Sequence, residues 1–273
     1  MTQPTEPQAL APAEPDRLDR PTLLAAFRAA FEPLPFALAL WEGGSAAFDK
    51  ADEWSDIDLM LAVDDDQVEA AAAAVEALVT SLGGAALRHV LPQPTWHGHW
   101  QAFYRLERAS PFLMIDLCIV KAGAPEKFLA PQIHGAARVH FDKAGVTTPP
   151  PWDAAAQEAR RWKRLATMAT TFPLFQPLVE KELRRGQGLV ALAFYQGMTL
   201  RPLLELLRMR HDPERFDFAW HALGRALPAE ALARLEPLAF IAGPERLAER
   251  RDAAERWFWD LHRELSRAHP IAS

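Results

Sequence analysis

One cysteine, Cys118, stands among 273 residues. That excludes an intrachain disulfide and any cysteine-rich zinc site. Cys118 falls in an apolar, strand-like run, where a thiol packs as a small hydrophobe. Long apolar runs are missing too, since none approaches the ~18 residues that cross a bilayer. There is no excess of positive charge. The formal net charge is -6, so nothing global draws the chain toward nucleic acid or an anionic membrane. The opening residues, MTQPTEPQALAPAEPDR, have neither the basic start nor the apolar stretch of a signal peptide. Residues 1–18 therefore read as a disordered leader, and the chain as cytoplasmic. No internal repeat is visible.

What is present is a chain able to bury a core, with 49% hydrophobic residues against 24% charged. Its length suits one large or two modest domains. Pro21, followed by Leu23, Leu24, Phe27 and Phe31 at helical spacing, predicts a helix closed by Pro33 and Pro35. Residues 36–41 predict a strand entering a glycine turn, and 55–63 a second strand. Asp64, Asp65 and Asp66 precede an alanine-rich helix over 67–82, as caps and partners of its dipole. Further strands are expected at 85–91, 100–107, 111–121 and 137–142, the middle two as a hairpin. The run TTPPP at 147–151 marks a boundary. Beyond it the pattern is helical, over 152–170, 172–185, 189–209, 229–240 and 244–269. The expected layout is an α/β domain over 19–148 and an all-helical domain over 149–273.

Three acids of the first domain carry chemical information. Asp56 and Asp58 sit two apart in a predicted strand, so their side chains share a face while Ile57, Leu59 and Leu61 point into a core. Paired carboxylates repel unless a cation lies between them. Asp116 is the lone charge in the apolar run PFLMIDLCIV, an expensive place for an unpartnered carboxylate. Ahead of the aspartates, the backbone N–H groups of Gly43, Gly44 and Ser45 can approach phosphate oxygens, and Ser45 adds a hydroxyl. Carboxylates beside a phosphate-binding turn suit Mg²⁺, as one ion or two. His97 and His99 flank a glycine, but no further His or Cys cluster supports a metal there.

The run GGSAAFDKADEWSDIDL resembles the nucleotide-binding motif of the DNA polymerase β-like nucleotidyltransferase superfamily. There a Gly-Ser pair is followed by Asp-x-Asp, often as Ser-Asp-Ile-Asp-Leu. Gly44-Ser45 and Ser55-Asp56-Ile57-Asp58-Leu59 match those halves, and Asp116 fits a third acid on a later strand. A small α/β domain followed by helices is similar to the antibiotic adenylyltransferases that act on aminoglycosides or lincosamides. The resemblance implies a mixed sheet in the catalytic domain, Mg²⁺, and ATP or another nucleoside triphosphate as substrate. It implies Asp56 and Asp58 as metal ligands, and Asp116 as a second-metal ligand or general base. Gly44 and Ser45 become phosphate contacts. Many relatives carry Arg-Gly where this chain has Phe48-Asp49.

In the helical part, Lys181, Arg184 and Arg185 lie on adjoining faces of one helix, near its end. Relatives tend to have a lysine in such a helix, which makes Lys181 a phosphate-binding residue by resemblance. A solvated basic helix end is the alternative. Glu180 and Glu182 read as solvated surface, as do Lys163 and Arg164. Phe194, Tyr195, Trp257, Phe258 and Trp259 read as core. The expected activity is transfer of a nucleoside monophosphate, AMP from ATP, to a hydroxyl of a small molecule such as an aminoglycoside-like antibiotic, with release of pyrophosphate. Two alternatives stand beside it: transfer to a protein or RNA, and a non-catalytic nucleotide-binding regulatory module. A nucleic acid acceptor would ask for a basic groove with stacking aromatics. The sequence offers only the Lys181–Arg185 run.

Overall fold

The computed structural model describes residues 17–268. The leader read over 1–18 lies outside them except for Arg17 and Leu18. Leu18 is held, its N–H donating to the Arg108 carbonyl at 2.8 Å in a bridge to Ala109. The chain divides into two compact units between Pro151 and Trp152. No helix among the described residues is long and apolar enough to cross a membrane.

The first unit contains α1 (Arg20–Phe31), β1 (Ala37–Glu42), β2 (Ile57–Val63), α2 (Val68–Ser81), β3 (Ala85–Val90), β4 (Trp100–Leu106), β5 (Ile115–Lys121), α3 (Pro131–His134) and β6 (Arg138–Asp142). Asp19 caps α1, its side chain accepting from the Thr22 N–H at 2.9 Å. The strands form one six-stranded sheet in the order β3-β4-β5-β2-β1-β6. β2 and β5 are parallel and the other pairs antiparallel, so the sheet is mixed, as expected.

Period-two alternation sends Ile57, Leu59 and Leu61 of β2, with Ile115, Leu117 and Ile119 of β5, to one face. There they pack with Leu23, Phe27 and Phe31 of α1 and Ala71, Val75 and Val79 of α2. On the other face Trp41, Met60, Ala62, Cys118, Val120 and Leu129 form a smaller cluster. That cluster covers β2 and β5 beyond their first residues. Asp58 and Asp116 share this second face ahead of it and are only partly buried. Cys118 is buried, and burial with the nearby Asp116 and Asp58 carboxylates pushes its thiol up to about 12. It remains a protonated packing group.

Local signals misplace three features of this unit. The β4–β5 connection runs over 107–114 rather than 108–110, and Ala109 within it bridges to Leu18 instead of to a strand of the sheet. Asp64, Asp65 and Asp66 give α2 no side-chain cap, and its N-cap residue is Gln67. Asp65 instead accepts from the Gly123 N–H at 2.9 Å, pinning the loop that leaves β5. The short helix α3 has no counterpart among the expected elements.

The second unit is helical: α4 (Ala154–Arg184), α5 (Gly188–Tyr195), α6 (Arg201–His211), α7 (Leu223–Ala226), α8 (Ala229–Ala239) and α9 (Pro244–Ala268). The break expected near residue 171 is absent, and α4 runs through Pro173 and Pro177 for 31 residues. Each proline removes one helix hydrogen bond. Packing outweighs that loss: Leu165, Met168, Phe172 and Val179 are buried, with Phe172 stacked on Phe258 at 3.5 Å between ring centres. Tyr195, Trp257 and Phe258 are buried core, with Phe194 and Trp259 packed against it.

The expected 189–209 helix is continuous but widens into a π-turn over Gln196–Leu200 between α5 and α6. Buried Gln176 of α4 answers it. Its amide nitrogen donates to the Phe172 carbonyl at 3.1 Å and the Met198 carbonyl at 2.9 Å, and its oxygen accepts from Thr199 Oγ1 at 2.7 Å. Arg164 is not simply surface, because it forms a two-pronged pair with buried Glu205 at 2.6 and 3.0 Å. Glu182 is likewise buried rather than solvated. Gln176→Leu leaves the Met198 carbonyl and Thr199 hydroxyl without this partner. It should cost about 1–3 kcal/mol, read as a lower urea midpoint with an unchanged denaturant slope.

Candidate active site

The site is built where β1 ends and where β2 and β5 begin. The Gly43 N–H donates to the Asp58 carbonyl at 2.9 Å, carrying the β1–β2 ladder into the turn. Gly44 follows with φ +52°, a conformation that costs an L side chain about 1–2 kcal/mol. Space sets a second demand: a Cβ on residue 44 would fall 1.7 Å from Asp58 Oδ2. The Asp58 carboxylate therefore lies against the bare backbone of the turn. Ser45 then opens a short 3₁₀ helix over Ala46–Phe48 without capping it. Its Oγ is buried and has no hydrogen-bond partner. The Ala47 carbonyl accepts from the Ala136 N–H at 2.9 Å, so the segment before β6 buttresses the turn.

Phe48-Asp49, the departure from the resembled motif, keeps the backbone shape that a glycine there would take. Asp49 is left-handed, with φ 54°, which aspartate tolerates better than most residues. It is exposed, so its charge is solvated.

Asp58 of β2 and Asp116 of β5 are direct partners across the parallel pair. Asp56 does not lie in a strand, since β2 begins at Ile57. Its carbonyl is diverted from the sheet and accepts from Arg20 Nη1 at 2.7 Å. The three acids feel one another. Burial, then the charges of Asp116 and Asp56, raise the Asp58 carboxyl to about 6. Burial also raises Asp116, with Asp56 adding to the push, while a hydrogen bond from Gln101 and the nearby His97 pull it back. Among the described residues no group of three or more His, Cys, Asp or Glu is gathered tightly enough to hold a metal ion as it stands. Like charges keep apart without a counter-charge between them.

Arg20, from the first turn of α1, escaped the sequence reading. Besides the Asp56 carbonyl, it binds Glu42 Oε2 at 2.5 Å. Glu42 is fully buried at the end of β1, and its other oxygen faces His140 Nε2 at 3.1 Å. Burial pushes Glu42 up, but the His140 hydrogen bond and the Arg20 charge outweigh it and leave the carboxyl below its usual value. Arg20 thus ties the strand before the glycine turn to the segment before β2. Its charge also acts on Asp58, in the direction opposite to the acids. No local pattern around Arg20 advertises this, because the contact joins elements distant in sequence.

Lys181 belongs to the second unit. It lines a cavity of about 480 Å³ there, with Gln176, Glu180, Arg184, Arg251, Glu255 and Trp259 among its neighbours. Arg184 is engaged by Glu180 at 2.9 Å and Arg185 by Glu182 at 2.9 Å, whereas Lys181 Nζ lies 3.8 Å from Glu182.

By chemical type, though not gathered into a formed site, the donors of the first unit are those a divalent cation beside a phosphate would use. Carboxylate oxygens from Asp56, Asp58 and Asp116 face each other's charge, and a buried hydroxyl without a partner lies at a turn cleared of side chains.

Comparison with known proteins gives likeness in structure alone. No family model matches the chain, and no curated protein sequence matches it. Among solved structures it is similar to an aminoglycoside 6-adenyltransferase from Bacillus subtilis. The identity is 14%, over 90% of this chain and 89% of that one, with a TM-score of 0.33. Function is therefore read from the site's own geometry.

The Asp58 shift carries a sign. Its carboxyl sits near 6 in the fold against an ordinary 3.8, so the folded state holds the proton more tightly than the unfolded chain. The stability this contributes is full below about pH 4 and is lost as pH rises through 6. Asp58→Asn cannot ionise. In EDTA at pH 8 it should melt above the unaltered protein, and the gap should close by pH 4. Adding Mg²⁺ at pH 8 should raise the melting temperature of the unaltered chain and leave the variant's nearly unchanged.

Proposed function

We propose that the chain is a divalent-cation-dependent nucleotidyltransferase. It moves a nucleoside monophosphate, AMP from ATP in the leading case, to a hydroxyl of a small molecule of the aminoglycoside-like antibiotic kind. Pyrophosphate leaves. The observation that carries this reading is the in-register pair Asp58 and Asp116, with the Asp58 carboxylate against Gly44, where a Cβ has no room.

Each residue has a task. Asp56, Asp58 and Asp116 supply the negative oxygens that would hold Mg²⁺. When bound, that cation neutralises phosphate charge and makes the α-phosphorus more electrophilic. The backbone N–H of Gly44 and the hydroxyl of Ser45 donate to phosphate oxygens. The acceptor oxygen attacks the α-phosphorus as the bond to the bridging oxygen of the β-phosphate breaks. Asp116 has one of two tasks, as a further ligand of the cation or as the base that takes the acceptor's proton. Within the second unit, Lys181 is proposed as a phosphate-binding residue. Its half-exposed ammonium, less tightly paired than the neighbouring arginines, is what supports that role.

The test is incubation with Mg²⁺ and α-phosphate-labelled ATP, with and without a panel of aminoglycosides, proteins and RNA. Label on a small molecule, with stoichiometric pyrophosphate, is the expected result. Label on protein or RNA would move the acceptor to a different class. ATP binding without pyrophosphate release would contradict the enzymatic reading. Asp56→Ala and Asp58→Ala should each lower turnover by on the order of 10²–10³ or more, the scale for losing one preorganised electrostatic group. Their far-ultraviolet circular dichroism should not change.

A further inference from the structure

Asp116 is held by a chain of hydrogen bonds from a part of the fold that no step above uses. Gln101 of β4 reaches across to β5, its amide nitrogen donating to Asp116 Oδ1 at 2.6 Å. Its amide oxygen lies 2.9 Å from His97 Nε2. A carboxylate only accepts, so the Gln101 NH₂ must face Asp116 and the Gln101 oxygen must accept. His97 Nε2 therefore carries its hydrogen. The other ring nitrogen, Nδ1, is then the acceptor, and the backbone N–H of His99 approaches it at 3.2 Å. Thr95 Oγ1 donates its hydrogen to the His99 carbonyl at 2.6 Å, which fixes the loop carrying this N–H. The His97 ring is packed edge-on by Trp96 and Phe128 and lies beside His99, with centres 5.0, 5.9 and 5.3 Å away. Donors and acceptors thus run one way, from the His99 amide through His97 and Gln101 to Asp116.

We propose that Gln101 is a positioning residue for Asp116, and that His97 fixes the direction in which the Gln101 carboxamide points. The inference rests on the nucleotidyl-transfer reading of the site. One Asp116 oxygen is pinned and the other is left for a cation or an acceptor proton. A neutral donor suits this role. A lysine or arginine at position 101 would neutralise the carboxylate and compete with the cation. A glutamate there would add a fourth negative charge to three already in conflict. Such partners behind a ligating carboxylate orient it, and their loss typically costs about 10–100-fold in metal affinity.

The test is Mn²⁺ binding to the full chain, followed by the electron paramagnetic resonance signal of free Mn²⁺, with no nucleotide present. Asp116→Asn is the reference variant. Gln101→Leu should weaken binding by about tenfold, and His97→Phe, which keeps a packed ring, should weaken it less but in the same direction. Should Gln101→Leu fail to fold, His97→Phe decides. Unchanged Mn²⁺ affinity in folded Gln101→Leu and His97→Phe, with weakened binding in Asp116→Asn, would overturn the positioning role and leave the nucleotidyl-transfer reading standing. Equal binding by the unaltered chain and Asp116→Asn would remove Asp116 from the metal site, and this inference with it.

Discussion

Carboxylates partly buried side by side on neighbouring strands set the electrostatics at one end of the first unit's sheet. The parallel register of β2 and β5 sets Asp58 directly beside Asp116, and Asp56 adds its charge from the segment just before β2. A fold has two ways to carry such a cluster: leave it protonated or supply positive charge. The Asp58 carboxyl, raised to about 6, shows the strain of the first way at neutral pH. Asp58 and Asp116, only partly buried, stay accessible to the second.

The supporting structure follows from that conflict. Arg20 brings one positive charge near Asp58 and is kept in place by buried Glu42, itself shared with His140. Gln101 binds Asp116 without adding charge. Behind the acids, Trp41, Met60, Cys118 and Leu129 close the same face with apolar side chains. The low polarity there is what keeps charge interactions at the site strong. At Asp58 the fold sets an ionised carboxylate against its own stability.

Much of this was legible in the sequence, and the failures have physical causes. Alternating strand and helix patterns before the proline boundary, and helical patterns alone after it, could be read from hydrophobic period, whereas the mixed pairing of the sheet was an expectation from the resemblance. Gly44, Ser45, Asp56 and Asp58 could be read as neighbours because the turn and the aspartates are close along the chain. Asp116 could be read because a lone charge in an apolar strand needs a reason. Arg20, Gln101 and His97 could not, since their roles come from the packing of α1 and from β4–β5 pairing. Asp56 was placed inside a strand because alternation alone cannot see that Arg20 takes its carbonyl. The break expected between 170 and 172 likewise falls where tertiary packing keeps α4 whole.

A cation and a nucleotide should both bind where β1 ends and β2 and β5 begin. The decisive measurement is a crystal structure of the protein with Mn²⁺ and an ATP analogue that cannot be cleaved between its α- and β-phosphates. Anomalous scattering should place Mn²⁺ on carboxylate oxygens of Asp56, Asp58 and Asp116, with the triphosphate against Gly44 and Ser45. Mn²⁺ bound elsewhere, or a nucleotide seated away from that turn, would contradict it.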